Sequence, residues 1–320
     1  MELTENLVVE MRSEAEPILR GFSVALLEAV RCPKDGARFA IADGKFGEFV
    51  SEAAVRCMEC GSVAEIHDGI LRLLPLQRPL ISVARAEQNA RDRGANRYDA
   101  HFSDWSNAVE MRAFFSDASA FAGKTVLDLA CGTGRVTARL LDTAGAVLGA
   151  DFSEHSLRNL AKKGIDSSAK LGLVWCDVTQ LRLSPGYFDT VVSAQLLEHI
   201  TCGKQRASLL EQICGWLKPA GLLLVSAYYH NLIKRVLRRP REGFHESGIF
   251  FHRFTGAELR REVSRFFLVR EMKPLQVDPR LFPGASPVRG WLARLLEKAF
   301  CTPLLGQLVF VRARKPAASR

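Results

Sequence analysis

VLDLACGTG, residues 126–134, sets a short apolar run carrying one acid against a loop of small residues with two glycines. Val126, Leu127 and Leu129 give the run the continuous apolar character of a strand covered on both faces of a parallel sheet. Asp128 lies near its carboxyl end, where open α/β sheets collect ligands. Gly132 and Gly134 let the backbone approach a ligand where a Cβ would collide. The loop departs from the G-x-G-x-x-G dinucleotide fingerprint, because Thr137 stands where the third glycine should be. An acid ahead of the glycines also opposes a pyrophosphate. A ligand carrying positive charge suits this loop better.

Downstream, strand-like and helix-like runs alternate: TVLDLA then GRVTARLLDTAG, AVLGAD then SEHSLRNLAKKG, LGLVWCD then a loop, YFDTVVSAQ then LLEHI and QRASLLEQICGWL, and finally GLLLVSAYY. This order predicts a doubly wound α/β fold. Asp151 ends the second strand, and a carboxylate there can accept from both hydroxyls of a ribose. Asp177 ends the third strand in WCDV, placed to accept from a purine amino group while Val178 packs on the ring. Any one of these acids alone also reads as a helix N-cap. Three on successive strand ends, with a glycine loop after the first, point to a nucleotide-like cofactor.

Together these motifs resemble the class I S-adenosylmethionine-dependent methyltransferases, over about residues 96–230 and more loosely to 315. The resemblance implies a Rossmann-like, seven-stranded methyltransferase sheet with S-adenosyl-L-methionine as cofactor. It places Asp128, Ala130, Gly132, Thr133 and Gly134 near the amino acid part of the cofactor, Asp151 and Phe152 at the ribose, Asp177 and Val178 at adenine, and Ala194 and Gln195 along the cofactor at the end of strand four. A sulfonium methyl is already activated, so such a protein mainly aligns an acceptor and excludes water. His199 is the candidate base for the acceptor's proton, with Glu198 to orient it; a packing role for His199 is the alternative. Tyr98 resembles an aromatic of the family's N-terminal lid. Tyr228, Tyr229 and His230 follow strand five at the ligand-bearing edge, and Tyr228 and His230 are expected at the substrate. REGFHESGIFFHRF, residues 241–254, reads as a substrate cover.

Ahead of this region, a small domain is expected at 18–76, with Pro75 and Pro79 marking a linker to a domain at 81–316. CPKDG at 32–36 and CMECG at 57–61 form two knuckle-like turns. Four thiolates at such spacing would close a tetrahedral zinc shell. Here Asp35 replaces one cysteine, leaving a Cys32, Asp35, Cys57, Cys60 set, with His67 as a substitute ligand and a metal-free ribbon as the alternative. The segment resembles Trm112-like zinc-ribbon modules, which implies structural zinc.

The chain has 320 residues and a formal net charge of +9, unevenly spread. Residues 1–80 hold 9 Lys and Arg against 13 Asp and Glu, whereas residues 231–320 hold 19 against 7. The acidic first segment argues against a phosphate-binding ribbon, so nucleic acid is not the expected partner. The basic runs NLIKRVLRRPR at 231–241 and VRGWLARLLEKAF at 288–300 suit contact with an anionic membrane or a lipid-linked acceptor, or are solvated helices. No 18-residue apolar run occurs and the first residues are acidic, so a cytoplasmic protein is expected. The expected function is methyl transfer to a small-molecule or lipid-linked acceptor, on oxygen; the alternative is an RNA (ribosomal RNA) base methyltransferase. SAQLLEHI stands where a base N-methylation motif would be.

Overall fold

The computed structural model describes residues 21–42, 46–101, 104–163, 170–277 and 302–317, together with 288, 291, 292, 295 and 296. Of residues 97–101 and 104–106 it describes the backbone path only. Eleven strands form one mixed sheet. In chain order they are β1 (Phe39–Ile41), β2 (Ala53–Cys57), β3 (Val63–His67), β4 (Ile70–Arg72), β5 (Thr125–Leu129), β6 (Ala146–Asp151), β7 (Lys170–Trp175), β8 (Phe188–Ala194), β9 (Leu217–Tyr228), β10 (Leu268–Val277) and β11 (Gly306–Arg314). Their spatial order is β10-β11-β9-β8-β5-β6-β7-β4-β3-β2-β1.

The five central strands β7-β6-β5-β8-β9 run parallel, and β11 and β10 close one side antiparallel. β5 lies between β6 and β8, so the strand order reverses on either side of it. The crevice outside its carboxyl end is where such a fold binds ligands. Side chains alternate across the sheet to build two cores. Val126, Val192, Leu224 and Phe310 pack on one face with Phe114. Leu127, Leu129, Val191, Leu223 and Val225 pack on the other. Each such fully buried side chain contributes about 2 kcal/mol of transfer free energy, which explains why the strands read as unbroken apolar runs.

Four helices matter for the site: α1 (Ser82–His101), α2 (Asp104–Phe114), α3 (Glu154–Lys162) and α4 (Gly203–Trp216). Ser153 caps α3 by accepting from Ser156 N, and its hydroxyl donates to Asp92 of α1 at 2.6 Å. A fifth, α5 (Gly256–Val263), starts with a capping box formed by Thr255 and Glu258.

The sheet runs across the boundary expected between a small domain and a seven-stranded one. Seven strands lie in 125–314, but four more from 39–72 continue the same sheet, because Ile70–Arg72 pairs parallel with Leu173–Trp175. The supposed linker is tied down as well: Gln77 accepts from Asp177 N at 2.7 Å and donates to Asp177 O at 3.0 Å. β4 would otherwise be an exposed edge of unpaired amides and carbonyls, and pairing satisfies both edges. Among the described residues no helix is long and apolar enough to cross a membrane.

Candidate active site

A cleft of about 480 Å³ opens at the carboxyl ends of β5, β6, β7 and β8. Ala130, Gly132, Thr133, Asp151, Phe152, Asp177, Val178, Ala194, Gln195 and His199 all line it. Asp128 and Gly134 do not; they work beneath the loop. Asp128 is 1% exposed and accepts from Thr137 Oγ1 at 2.6 Å. Gly134 has φ +85°, and a Cβ there would meet Leu160 Cδ1 at 2.1 Å, so this glycine is required by the packing of α3 under the loop. Gly132 differs: its φ is +53° and nothing lies within 4 Å of its missing Cβ, leaving open space on the cleft side.

Asp151 sits at the centre of the site. Its Oδ2 accepts from Gly132 N at 2.8 Å and its Oδ1 from Ser153 N at 2.8 Å, which fixes the glycine loop against β6 and leaves one lone pair on each oxygen. Asp177 caps the turn Val178–Gln180 by accepting from Thr179 N at 2.9 Å and also lines the cleft. Burial pushes the Asp128 carboxyl up to about 6, against the donor Thr137 and the nearby Arg135. Burial likewise raises Asp151 and Glu87. Desolvation penalises the ionised form of each carboxyl and a nearby positive charge favours it; Arg78 and Arg91 also line the cleft.

Two non-glycine residues hold left-handed backbone at the mouth of the crevice, Ala130 at φ 61° and Gln195 at φ 58°. They end the two strands that flank the reversal point, and such strain persists only where its surroundings enforce it. The Gln195 amide donates to both oxygens of Glu110, at 3.0 and 3.2 Å. Glu110 in α2 is fully buried, pairs with Arg135 at 2.7 Å and accepts from Ser226 Oγ.

His199 occupies a single turn, Leu197–His199, directly after β8. Its Nδ1 donates to Phe250 O at 2.7 Å, which leaves Nε2 as the unprotonated ring nitrogen. Burial, then Arg91 and His245, hold its pKa well below the usual imidazole value, so it is neutral at physiological pH. Glu198 does not orient it. That side chain is fully buried and without a hydrogen-bond partner among the described residues, and burial, reinforced by Glu110, raises its carboxyl well above the usual range. Tyr228 meets the His199 ring edge-on at 5.7 Å and His245 at 6.0 Å, but it does not line the cleft. His230 is turned away: its Nε2 donates to Arg239 O at 3.1 Å. The hairpin of Glu242–Phe244 with Phe250–His252 lies over the His199 turn, where a loop was expected. The Tyr98 side chain falls outside the described residues.

The sequence did not reveal the contribution of α1. Glu87 and Arg91, 3.1 Å apart, both line the cleft, and Glu87 Oε1 lies 3.8 Å from His199 Nδ1.

The second cluster lies beyond the sheet's far strands. Ligand atoms of Cys32, Asp35, Cys57 and Cys60 all fall within 4.8 Å of one another, while His67 belongs to an exposed trio with Glu52 and Asp68. Cys32 Sγ and Cys60 Sγ are 3.8 Å apart. A tetrahedral shell with zinc–sulfur bonds of about 2.3 Å has an edge of about 3.8 Å. Cys57 Sγ donates to the Asp35 oxygens at 3.3 and 3.4 Å, near the mixed sulfur–oxygen edge of the same polyhedron, about 3.5 Å. Among the described residues every cysteine is free.

Residues 126–221 match the family described as "Methyltransferase domain". A ubiquinone biosynthesis O-methyltransferase of Bordetella pertussis is 30% identical over 115 residues, covering 36% of this chain and 46% of that protein. Phosphoethanolamine N-methyltransferase 1 of Triticum aestivum is 32% identical over 107 residues, covering 33% and 21%. The chain thus spans less than half the length of these relatives. Among solved structures, the 1,6-didemethyltoxoflavin-N1-methyltransferase of Burkholderia thailandensis, with S-adenosylhomocysteine bound, is similar at a TM-score of 0.51 and 17% identity, covering 88% of this chain and all of that one. Over residues 126–221 the chain is therefore similar to that domain family, and its α/β sheet has the Rossmann-like methyltransferase fold.

Proposed function

We propose that the protein transfers the methyl group of S-adenosyl-L-methionine to an oxygen of a small-molecule or lipid-linked acceptor. The observation that carries this reading is a cleft at the strand-order reversal lined by the desolvated carboxyls of Asp151 and Glu87, with the buried Asp128 beneath its glycine loop. Those groups fit a sulfonium nucleoside: Asp151 has a lone pair free on each oxygen for ribose hydroxyls, Asp177 and Val178 edge the adenine side, and Gly132 leaves open space for the amino acid part. When bound, the cofactor supplies an already activated methyl group. The protein's own work is to align the acceptor, exclude water and take a proton.

His199 is the residue for that last task. The Phe250 carbonyl fixes its tautomer, and its depressed pKa keeps Nε2 unprotonated at physiological pH. Gln195, held by Glu110, is a positioning residue for the cofactor's rim. Cys32, Asp35, Cys57 and Cys60 form, in this reading, a structural zinc site with no open position for chemistry, which agrees with their distance in the sheet order from β5. Cytoplasmic location belongs to the same reading.

Titration calorimetry with S-adenosyl-L-methionine tests the cofactor. The acceptor is found by comparing metabolites of a deletion strain and its parent for features that differ by one methyl group, with fragmentation placing it on oxygen. With that acceptor, His199→Asn is expected to lower single-turnover transfer by about 10²–10⁴-fold while cofactor affinity stays within about twofold. An unchanged rate would remove His199 as the base.

A further inference from the structure

The short helix Leu232–Val236 contains no buried residue. Leu232, Ile233, Val236 and the adjoining Leu237 are 45%, 38%, 73% and 61% exposed. At this spacing they share one face. Surface helices ordinarily turn such a stripe to the core, and this one is held the opposite way round. Its cap, Asn231, is buried, accepts from Lys234 N at 2.8 Å and donates to Gly306 O at 2.9 Å. Lys234 Nζ donates inward to Tyr229 O and Gln307 Oε1. Arg239 N closes the far end on Lys234 O at 2.8 Å. The polar side is bolted to the protein, so the apolar side faces solvent.

The charge on the helix and the turn after it is of one sign, and the exposed Glu242 lies beyond it at the start of the hairpin. Arg235, Arg238 and Arg239 are exposed, and among the described residues none has an acidic partner. Phe244, 61% exposed, projects from the hairpin that supplies Phe250 O to His199. The Arg239 carbonyl is tied to His230, two residues beyond β9. This surface and the candidate base therefore belong to one hydrogen-bonded edge of the fold. Val288, Trp291 and Leu295 are likewise 52%, 60% and 49% exposed, in a stretch whose sequence is basic.

We propose that the 232–244 face seats on an anionic lipid bilayer, with the aliphatic tips in the headgroup–acyl boundary and the arginines on lipid phosphates and carboxylates. Resting on the methyl-transfer reading of the cleft, it follows that the acceptor carries an apolar chain and is presented from the membrane beside His199. Charge complementarity selects this occupant: nucleic acid would use the arginines but gain nothing from four exposed aliphatic side chains, whereas an interfacial helix needs both.

The test is flotation of the full chain with vesicles of phosphatidylcholine alone or with about one-third phosphatidylserine. Expected are binding to the anionic vesicles only, weakening as salt rises, and a loss of at least about tenfold in partitioning for Val236→Asp combined with Leu237→Asp, and separately for Arg235→Glu combined with Arg238→Glu. Both pairs are solvent-facing, and calorimetry with S-adenosyl-L-methionine should give unchanged affinity. No flotation at low salt, equal binding to both vesicle types, or aspartate variants that float like the parent would each overturn the proposal. So would RNA binding that the arginine pair abolishes and the aspartate pair leaves intact. Absent cofactor binding by the parent protein that still floats would sink the methyl-transfer reading and leave the surface standing.

Discussion

Asp128, near the carboxyl end of strand β5 ahead of the glycine loop, and Asp35, in a tight turn, are aspartates whose protons are held in opposite directions. Asp128 is buried under the central strands with one hydroxyl donor, and desolvation drives its carboxyl up to about 6. Asp35 is at the surface, where the amide of Ala37 and then the thiols of Cys60 and Cys57 hold it well below the ordinary carboxylate range. One site has too few positive partners for its acids; the other already satisfies its acid with donors aimed at a single point. The first arrangement asks for a cationic ligand, and the second is rigid and closed. Substitutions in the two sites should therefore separate cofactor binding from stability.

The sharpest break is Asp151→Ala. It removes the acceptor for Gly132 N and Ser153 N together with the oxygens facing the cleft. Two orphaned amides and a lost ligand contact, at about 1–3 kcal/mol each, predict a fall of about 100-fold or more in S-adenosyl-L-methionine affinity by calorimetry, in protein shown by circular dichroism to be folded. Undiminished affinity would mean the cleft is not the cofactor site. Cys57→Ala is the counterpart. It should lower unfolding free energy by about 2 kcal/mol, as loss of a closed metal shell does, and reduce zinc found by plasma mass spectrometry from one per chain to none. Cofactor affinity should stay within about twofold. A parent protein purified with no zinc, and indifferent to added zinc in melting temperature, would remove the metal.

These sites differ too in how far the sequence exposed them. Asp128, Asp151 and Asp177 were legible because a strand and the loop after it form a local signal: the acid, the apolar run and the glycines lie within a few residues. The Cys32, Asp35, Cys57 and Cys60 set was legible for the same reason, since two turns with fixed internal spacing need only one hairpin to meet. Glu87 and Arg91 left no such trace, because α1 reaches the cleft by packing on α3, and nothing in its sequence marks that contact. The Glu110–Arg135–Gln195 network joins three distant elements, and the left-handed backbone of Ala130 and Gln195 falls on residue types that do not advertise it. The continuation of the sheet into residues 39–72 was not legible, because the pairing of Ile70–Arg72 with Leu173–Trp175 spans about a hundred residues, beyond any local pattern.

Asp128→Asn probes the proton itself. A buried acid raised from 3.8 to about 6 binds its proton more tightly in the folded state. Its favourable contribution is complete below the unfolded value and is lost as pH rises through about 6; above that, the ionised carboxylate burdens the fold by about 3 kcal/mol, two pKa units at about 1.4 kcal/mol each. Asparagine keeps an acceptor for Thr137 and cannot ionise. The variant should therefore be more stable than the parent by about 2–3 kcal/mol at pH 8 in urea melts, and no different near pH 4. The stabilised protein should also bind S-adenosyl-L-methionine about tenfold less tightly at pH 8, because the negative charge that the cation offsets is gone. For the parent, affinity should decline as pH drops through about 6 until the difference of about tenfold from the variant has closed, a component that the variant lacks. A stability gain of equal size at both pH values would trace the effect to packing instead of ionisation, and would dissolve the contrast between the two aspartates.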